Sequence, residues 1–355
     1  MSLRESTSGK RRRSPRQAGV PSKPGSGLLG WEAATSQVSA STQKNHSAAN
    51  RETAPAGSLL GIEPLSAGQI LDYLQLAKRM EPLRQRGSAL LKGQRIVLLF
   101  YEASTRTRVS FELAAQALGA TTTVVTAAAS SIEKGESLID TGYTLHALGA
   151  DLIVMRHPSS GAHWTLARYL DIPLVNAGDG MHEHPSQALL DAFTMLKHKP
   201  SLHGLRVTII GDIYHSRVAR SNVFLLTKLG AEVALCGPPD LVPDIATTLA
   251  PGAKVARDLR EGLDGADVVM LLRIQKERFA GRRISFEQYV ADYQMTAERL
   301  RWAKPDALVM HPGPIIRGLE LTAEVADMPC SVIREQVHSG IPVRMGILAR
   351  ALGKV

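Results

Sequence analysis

The sequence predicts an α/β protein made of two doubly wound parallel-sheet domains, joined by helices and preceded by a disordered N-terminal tail. Two observations lead to this prediction. From residue 65 onward, short apolar runs typical of buried strands alternate with amphipathic segments of helical period. The same order of signals then occurs twice, beginning at residue 95 and again at residue 206. Strands and helices that alternate at this spacing are typical of parallel sheets covered by helices.

The first half opens with a predicted helix at residues 69–80, whose apolar side chains share one face. Its first strand is a continuous apolar run, which implies burial on both faces of a sheet. A polar turn at 102–106 leads into a helix that ends near Gly119, where glycine supplies a left-handed stop. The strands predicted in this half are Arg95–Phe100, Thr121–Thr126, 152–155 and 173–176.

The second half repeats this plan. In both halves Leu-Gly-Ala follows a helix, and Gly-Ala-Asp opens a later strand that ends on an arginine. The helix of this half ends near Gly230. Its predicted elements are the strands Arg206–Ile210, Glu232–Cys236, 268–272 and 307–310 and the helix Arg217–Lys228.

The two halves define the predicted domains, residues 58–186 and 187–334. The boundary lies near residues 185–200, where the amphipathic helix 186–197 joins the halves. A terminal helix at 335–355, periodic over 343–352, is expected to pack back on the first domain.

The first 57 residues differ from the rest of the chain. They are rich in Ser, Gly, Pro, Ala and Arg, and they hold nine basic and three acidic residues, hence +6 of the net +9. We expect a disordered basic tail at 1–57. A transit peptide, contact of the basic run 10–13 with nucleic acid, and a start codon assigned too early are the other interpretations. Because the remaining chain is nearly balanced, its charge does not indicate a nucleic-acid-binding domain.

Cysteine usage and hydropathy favour a cytoplasmic protein. Cys236 and Cys330 stand far apart and form no metal-ligand spacing, which suits a reducing compartment better than a disulfide scaffold. No apolar run reaches the ~18 residues that a membrane span requires. Organellar targeting by the tail is the alternative.

Polar clusters follow five of the predicted strands. In open parallel sheets, ligands bind in the crevice outside the carboxyl ends of the strands. We therefore expect these clusters to mark the functional site. They are residues 104–108, residues 156–158, the loop 178–185, Arg273 with Gln275, and residues 311–314.

The cluster at 104–108 suits an anion. It stands at the predicted start of a helix, where free N–H groups and the helix dipole favour negative charge. Arg106 and Arg108 add hydrogen bonds that match phosphate geometry. An ordinary helix cap with solvated arginines is the alternative. Since neither a GxxxxGK[ST] loop nor a GxGxxG fingerprint occurs, a nucleotide polyphosphate is not expected.

His184 and two arginines are the other candidates. A loop histidine that faces a phosphate pocket can donate to a carbonyl oxygen, although a buried structural histidine is the alternative. His182 and His184 form a His-x-His pair, but no HExxH spacing or carboxylate cluster accompanies it, so we expect no metal. Arg217 and Arg273 stand at the carboxyl edge of the second sheet, where a dicarboxylate would suit the pair, although either is also a plausible surface cation.

These motifs resemble those of the aspartate/ornithine carbamoyltransferase family. The run from Phe100 to Glu112, FYEASTRTRVSFE, resembles the carbamoyl-phosphate signature of that family. Further matches in the same order are KGE at 134–136, HPSQ at 184–187, RIQKERF at 273–279 and HPGP at 311–314. Together they extend over about residues 59–352, so chance agreement is implausible.

Two features favour aspartate over ornithine as the acceptor. Ornithine members typically carry His-Cys-Leu-Pro where this chain has HPGP, and RIQ at 273–275 resembles the segment that binds the aspartate side chain. One departure is Ile316, where close relatives usually have asparagine.

The resemblance implies transfer of the carbamoyl group of carbamoyl phosphate to aspartate, in pyrimidine biosynthesis. It makes 58–186 the carbamoyl-phosphate-binding domain and 187–334 the aspartate-binding domain. The residues that it assigns to the phosphate are Ser104, Thr105, Arg106 and Thr107, with Arg106 on the leaving group. Those assigned to the carbonyl oxygen are Thr107, Arg156 and His184. Gln187 and the backbone of Gly313 and Pro314 would orient the carbamoyl amino group. Those assigned to aspartate are Lys134, Arg217, Arg273 and Gln275.

In this family Ser130 and Lys134 reach into the neighbouring subunit's pocket, which implies a homotrimer with shared active sites, alone or in a larger assembly with regulatory chains or dihydroorotase. No metal or organic cofactor is implied. The alternatives are a carbamoyltransferase acting on ornithine or another amino acid, and a nucleic-acid-binding protein that uses the tail on a catalytically idle fold.

Overall fold

Two parallel β-sheets, one in each half of the chain, confirm the predicted α/β class. The computed structural model describes residues 53–126, 135–279 and 284–355. Most of the predicted tail and the segment with Ser130 and Lys134 therefore lie outside the described residues. In the part of the chain that is described, no helix combines the length and the apolar character that crossing a membrane requires.

The first sheet has the strand order β2-β1-β3-β4, and every neighbouring pair is parallel. Its strands are β1 (Arg95–Phe100), β2 (Thr121–Thr126), β3 (Leu152–His157) and β4 (Leu174–Asp179). The helices of this half are α1 (Ala67–Met80), α2 (Leu83–Arg86), α3 (Thr105–Ala117), α4 (Leu138–Ala147), α5 (Ala162–Ala167) and α6 (Pro185–His198).

The second sheet has the order β7-β6-β5-β8-β9 and is also parallel throughout. Its strands are β5 (Arg206–Ile210), β6 (Glu232–Cys236), β7 (Lys254–Ala256), β8 (Val268–Leu271) and β9 (Leu308–Met310). The helices of this half are α7 (Arg217–Lys228), α8 (Leu259–Leu263), α9 (Phe286–Tyr293), α10 (Ala297–Leu300), α11 (Ala323–Asp327) and α12 (Ile333–Ala351). Short 3₁₀ turns occupy Asp244–Leu249 and Lys276–Phe279.

The central strands are apolar because helices cover both faces of each sheet. All four residues of β8 are buried, and β1 is buried from its second residue onward. The edge strand β2 differs, since three of its six residues are exposed. The sequence pattern predicted these buried strands correctly because continuous burial requires continuous apolar residues.

The repeated Gly-Ala-Asp has the same structural role in both halves. The Asp151 carboxylate accepts a hydrogen bond from the backbone N–H of Arg95 at 2.7 Å, and the Asp267 carboxylate accepts one from Arg206 at 2.9 Å. In each case the aspartate before one strand satisfies the first N–H of the neighbouring strand. Gly119, with φ of 82°, likewise ends α3 in the predicted left-handed conformation.

Two helices connect the halves. The long helix α6 packs against α7 of the second half and against α1 and α12. The terminal helix α12 also packs against α1 and α3, so the end of the chain returns to the first half.

The structure moves some predicted boundaries. Arg156 and His157 are the last residues of β3 rather than a loop, and β4 continues to Asp179. The terminal helix spans Ile333–Ala351, against the predicted 335–355, and it continues through the buried Pro342. It therefore begins ten residues before the periodic stretch 343–352. Pro55 is buried, so packed chain begins before residue 58.

Candidate functional site

A cavity of about 410 Å³ is lined by residues from both halves. Five strands contribute to it through the residues at or after their carboxyl ends, β1, β3, β5, β8 and β9. The turn after β4 contributes as well. The volume falls in the range of ~300–1,000 Å³ typical of small-molecule sites. The strand ends of two parallel sheets therefore open onto one space.

Most of the predicted site residues meet in this cavity. Those that line it are Ser104, Arg106, Thr107, Arg156, His184, Gln187, Arg217, Arg273, Gln275 and Gly313. Thr105 and Pro314 adjoin lining residues in the chain without being part of the lining. Ser130 and Lys134 lie outside the described residues.

The start of α3 leaves its polar groups available to a ligand. Ser104 is the N-cap residue, but its side chain makes no capping hydrogen bond to the helix. Thr107 is buried in the first turn. The free N–H groups of this turn therefore face the cavity together with the Arg106 side chain, as an anion site requires.

The carboxylate of Glu102 joins two arginines from different halves. Its Oε2 accepts hydrogen bonds from Arg156 Nε at 3.1 Å and from Arg217 Nη2 at 2.8 Å. Arg156 also donates to the carbonyl of Ala177 at 3.2 Å. Burial and the neighbouring Arg217 lower the pKa of Arg156 to about 10, against the opposing effect of Glu102. Arg156 therefore remains a cation at neutral pH, and the shared carboxylate holds it beside Arg217.

Three buried donors of cavity-lining residues lack hydrogen-bond partners within the described chain. They are Nη1 of Arg217, Nε of Arg344 and Nε2 of His311. Because Nδ1 of His311 accepts the backbone N–H of Gly313 at 2.8 Å, the ring proton of the neutral imidazole lies on Nε2. A buried donor without a partner costs roughly 1–3 kcal/mol, which an acceptor atom of a ligand recovers.

Two of the cavity histidines, His184 and His311, are neutral at pH 7. Burial, followed by the charges of Arg156 and Arg344, lowers the pKa of His184 well below its ordinary value. Burial, followed by Arg106, lowers the pKa of His311 to about 3. A neutral imidazole can still donate one N–H, so both rings act as uncharged donors among cations.

Glu320 anchors the loops that carry the second-half residues of the cavity. Its buried carboxylate accepts the backbone N–H of Ile274 at 3.0 Å and that of Ile316 at 2.9 Å. The first bond fixes the segment between Arg273 and Gln275. The second fixes the loop at Ile316, a residue that is 42% exposed, and because this bond uses the backbone it does not depend on the side chain at that position.

One group of side chains has ligand atoms close enough for a metal ion. These atoms, on Glu63, His182 and Glu183, lie within 4.8 Å of one another. The Glu183 carboxylate already accepts from Ser221 Oγ at 2.7 Å and from the backbone N–H of Ile62 at 2.8 Å. His184, the other member of the predicted pair, is not part of this group.

The sequence analysis assigned no role to several cavity residues. Glu102 stands inside a recognised motif, and His311 opens the predicted cluster 311–314, so the position after a strand is a signal for both. Gln336 and Arg344 reach the cavity from α12 and have no local signal. Asp212 and His215, which bond to each other at 2.8 Å, follow β5.

Fold and cavity together define an α/β protein of two parallel sheets with a cationic cleft for anionic ligands. Two family models match the chain in succession. Residues 58–197 match the carbamoyl-P binding domain of aspartate/ornithine carbamoyltransferases, and residues 203–351 match their Asp/Orn binding domain.

Individual relatives agree with the family models. The chain is 65% identical over 297 residues to a protein of Koribacter versatilis named aspartate carbamoyltransferase catalytic subunit, covering 84% of this chain and 97% of that protein. A protein of the same name from Solibacter usitatus is 53% identical over 302 residues, covering 84% and 100%.

Solved structures agree as well. Aspartate transcarbamoylase from Trypanosoma cruzi, in complex with carbamoyl aspartate and phosphate, matches with a TM-score of 0.74 and 33% identity, covering 83% of this chain and 96% of that one. Ornithine carbamoyltransferase from Pyrococcus furiosus matches with a TM-score of 0.77 and 28% identity, covering 85% and 99%. The chain belongs to the aspartate/ornithine carbamoyltransferase family.

The lowered pKa of His311 predicts a dependence of stability on pH. Between pH 6.5, the ordinary pKa of an unfolded histidine, and about 3, the unfolded chain binds a proton that the folded chain does not. The contribution of His311 to the free energy of unfolding is therefore complete above pH 6.5 and is lost as the pH falls. The variant His311→Asn keeps an acceptor for Gly313. The free energy of unfolding, measured by urea denaturation, is compared between pH 7 and pH 5 in both proteins. The fall should be about 2 kcal/mol smaller in the variant than in the wild type. Equal falls in both proteins would contradict the lowered pKa.

Proposed function

We propose that this protein transfers the carbamoyl group of carbamoyl phosphate to the amino group of L-aspartate. The products are N-carbamoyl-L-aspartate and phosphate, and the reaction belongs to pyrimidine biosynthesis. The observation that carries the proposal is the single cavity into which an anion site of the first half and the arginines of the second half both face. Relatives named aspartate carbamoyltransferase catalytic subunit support the choice of reaction.

The phosphate of carbamoyl phosphate binds at the start of α3. Ser104, Thr105 and Thr107 offer hydroxyl and backbone donors there, and Arg106 offers a guanidinium. As phosphate leaves, negative charge accumulates on its oxygens. A cation held at that position stabilises the transition state more than the bound substrate.

The carbonyl oxygen faces Thr107, Arg156 and His184. As the amine attacks, this oxygen becomes an oxyanion, which three donors in a largely buried site stabilise. The neutral His184 contributes a donor without adding a further cation beside Arg156. Gln187 and the backbone of Gly313 and Pro314 orient the amino group of the carbamoyl moiety.

Aspartate presents two carboxylates to the second half of the cavity. Arg217 and Arg273 pair with them, and Gln275 adds a polar contact. Nη1 of Arg217 has no hydrogen-bond partner among the described residues, so it is a donor that a ligand carboxylate can satisfy. Ornithine carries a cationic amine where aspartate has its second carboxylate, and two arginines repel such a cation. A dicarboxylate therefore suits this end better.

The reaction balances without a cofactor. The uncharged amine of aspartate attacks the carbonyl carbon and forms a C–N bond. The tetrahedral intermediate then expels phosphate with the electron pair of the C–O bond, and the departing phosphate accepts the amine proton. The protein aligns two anions against their mutual repulsion and stabilises the oxyanion and the leaving group.

An acceptor assay tests the proposal. The purified protein is incubated with carbamoyl phosphate and either aspartate or ornithine, and phosphate release above the spontaneous rate is measured. We expect release with aspartate and only background with ornithine. Turnover with ornithine alone would assign the chain to the other branch of the family, and no turnover with any amino acid would refute the activity.

Removal of Arg106 should abolish most of the turnover. The variant Arg106→Ala deletes the cation at the leaving phosphate, and we expect kcat to fall by about 10²–10⁴-fold with the fold intact. Circular dichroism and the urea midpoint verify folding. The control Arg79→Ala removes an exposed cation from α1 that is not part of the cavity lining, and it should retain wild-type kcat. Near-normal kcat in Arg106→Ala would contradict the assignment.

We propose further that the active unit is a cytoplasmic homotrimer with shared sites, either alone or within a larger assembly. The edge strand β2 presents Val124 to solvent, and α3 presents Val109 and Leu113 on the same half. An exposed edge strand with neighbouring apolar side chains is a surface that a second subunit can cover. The chain continues from β2 directly into the segment with Ser130 and Lys134, which that neighbour would receive in its pocket.

Hybrid trimers test site sharing. Arg106→Ala inactivates the pocket of the chain that carries it. Lys134→Ala leaves that pocket intact but removes the lysine that the chain supplies to the pocket of its neighbour. Each variant alone should be inactive. If they are dissociated, mixed in equal amounts and reassociated, one site in every mixed trimer is intact, and activity should return to about a quarter of the wild-type value. Absence of recovery in reassociated protein of trimeric mass would exclude shared sites.

A further inference from the structure

Asp191 on α6 is a fully buried carboxylate that three helices surround with amide donors. Its Oδ1 accepts hydrogen bonds from Gln187 Nε2 at 2.9 Å and from Gln336 Nε2 at 2.8 Å. Its Oδ2 accepts one from Asn222 Nδ2 at 2.9 Å. Of these four residues, Gln187 and Gln336 line the cavity, whereas Asp191 stands behind them.

The second bonds of two partners establish how their amides are oriented. Oε1 of Gln336 accepts the backbone N–H of His311 at 2.9 Å, and a backbone N–H is always a donor. Nδ2 of Asn222 donates to the carbonyl of Val218 at 3.0 Å, and a carbonyl is always an acceptor. Both amides therefore direct their NH₂ groups at Asp191.

Asp191 must act as an acceptor for all three amides. Burial raises its pKa to about 6, but the three N–H donors and the positive charge of Arg344 favour the ionised form. An ionised carboxylate has no proton to donate. Gln187 must consequently turn its NH₂ group toward Asp191, which leaves the carbonyl oxygen Oε1 as the atom that it offers to the cavity.

We propose that Asp191 is a positioning residue that selects a carbamoyl over an acyl group by fixing the Gln187 amide. This inference rests on the proposed function. Oε1 of Gln187 can accept an N–H of the carbamoyl amino group. The methyl group of an otherwise similar acyl phosphate has no proton to donate, so it leaves Oε1 without a partner. If the Gln187 amide were reversed, its NH₂ group would face the NH₂ group of the carbamoyl moiety. Two donors would then meet, and the preference for a carbamoyl over an acyl group would be lost.

The probe for this role is acetyl phosphate, in which a methyl group replaces the carbamoyl amino group. Its inhibition constant against carbamoyl phosphate is measured beside the KM for carbamoyl phosphate, with formation of carbamoyl aspartate as the readout. We define the selectivity ratio as the inhibition constant of acetyl phosphate divided by the KM for carbamoyl phosphate. This ratio does not depend on the fraction of active protein. General damage to the fold therefore does not by itself change it.

In Asp191→Ala we expect this ratio to fall about tenfold, because Gln187 is then free to present either end of its amide. The matched control is Asn222→Ala, which removes another bond to the same carboxylate but leaves Oδ1 and Gln187 in place. It should keep the wild-type ratio. If Asp191→Ala does not fold, Asp191→Ser provides the same test, because its shorter side chain keeps a hydroxyl in the buried cluster without reaching all three amides.

A double variant shows whether Asp191 acts through Gln187. Gln187→Ala should lower the ratio on its own, and adding Asp191→Ala should lower it no further. A wild-type ratio in active Asp191→Ala or Asp191→Ser, or an equal fall in Asn222→Ala, would overturn the inference. Absence of carbamoyl transfer by the wild-type protein would instead overturn the proposed function, so the two failures are distinguishable.

Discussion

The carboxylate of Glu102 is the interaction on which the cavity depends, because it allows arginines from two halves of the chain to stand together. Two cations ~4 Å apart repel each other by about 4 kcal/mol at the effective dielectric of a protein surface. The lowered pKa of Arg156 records this repulsion together with the cost of burial. Glu102 offsets it by accepting from both Arg156 and Arg217. The cavity thus keeps a high density of positive charge that two anionic substrates can share.

The same carboxylate connects the two sheets. Glu102 follows β1 of the first sheet, and Arg217 begins α7 of the second. Since Arg217 reaches across to Glu102, the position of its guanidinium depends on how the halves meet and not only on α7. The opposing strand ends make the cleft, and this ion pair joins its two walls.

Local rules explain why much of the site was predictable. Ser104, Arg106 and Arg217 stand at helix starts that follow buried strands, and the parallel sheet brings all such positions to one edge. The ion pair itself was not predictable, because Glu102 and Arg217 are 115 residues apart. A sequence pattern shows which elements carry polar ends but not which of those ends meet.

The terminal helix shows where periodicity fails. The pattern predicted an apolar face only over 343–352, whereas the helix begins at Ile333. Its inward face carries the buried polar residues Gln336, Ser339 and Arg344, which interrupt the apolar period. Gln336 supports both His311 and Asp191, so these polar residues serve the cavity. The apolar period therefore covers only part of the predicted helix, because the buried face is polar where it serves the cavity.

The chemistry proposed for the cavity explains why arginines carry its charge and histidines do not. The attacking amine must be uncharged, so the reaction is favoured by alkaline conditions. A charged histidine would lose its proton, and with it its charge, under the same conditions. His184 and His311 avoid this conflict because burial keeps both neutral, each with one N–H to donate. Permanent charge comes instead from arginines, and even Arg156, with its pKa lowered to about 10, stays protonated well above neutrality. The donors that the oxyanion and phosphate require therefore persist at the pH at which the nucleophile becomes available.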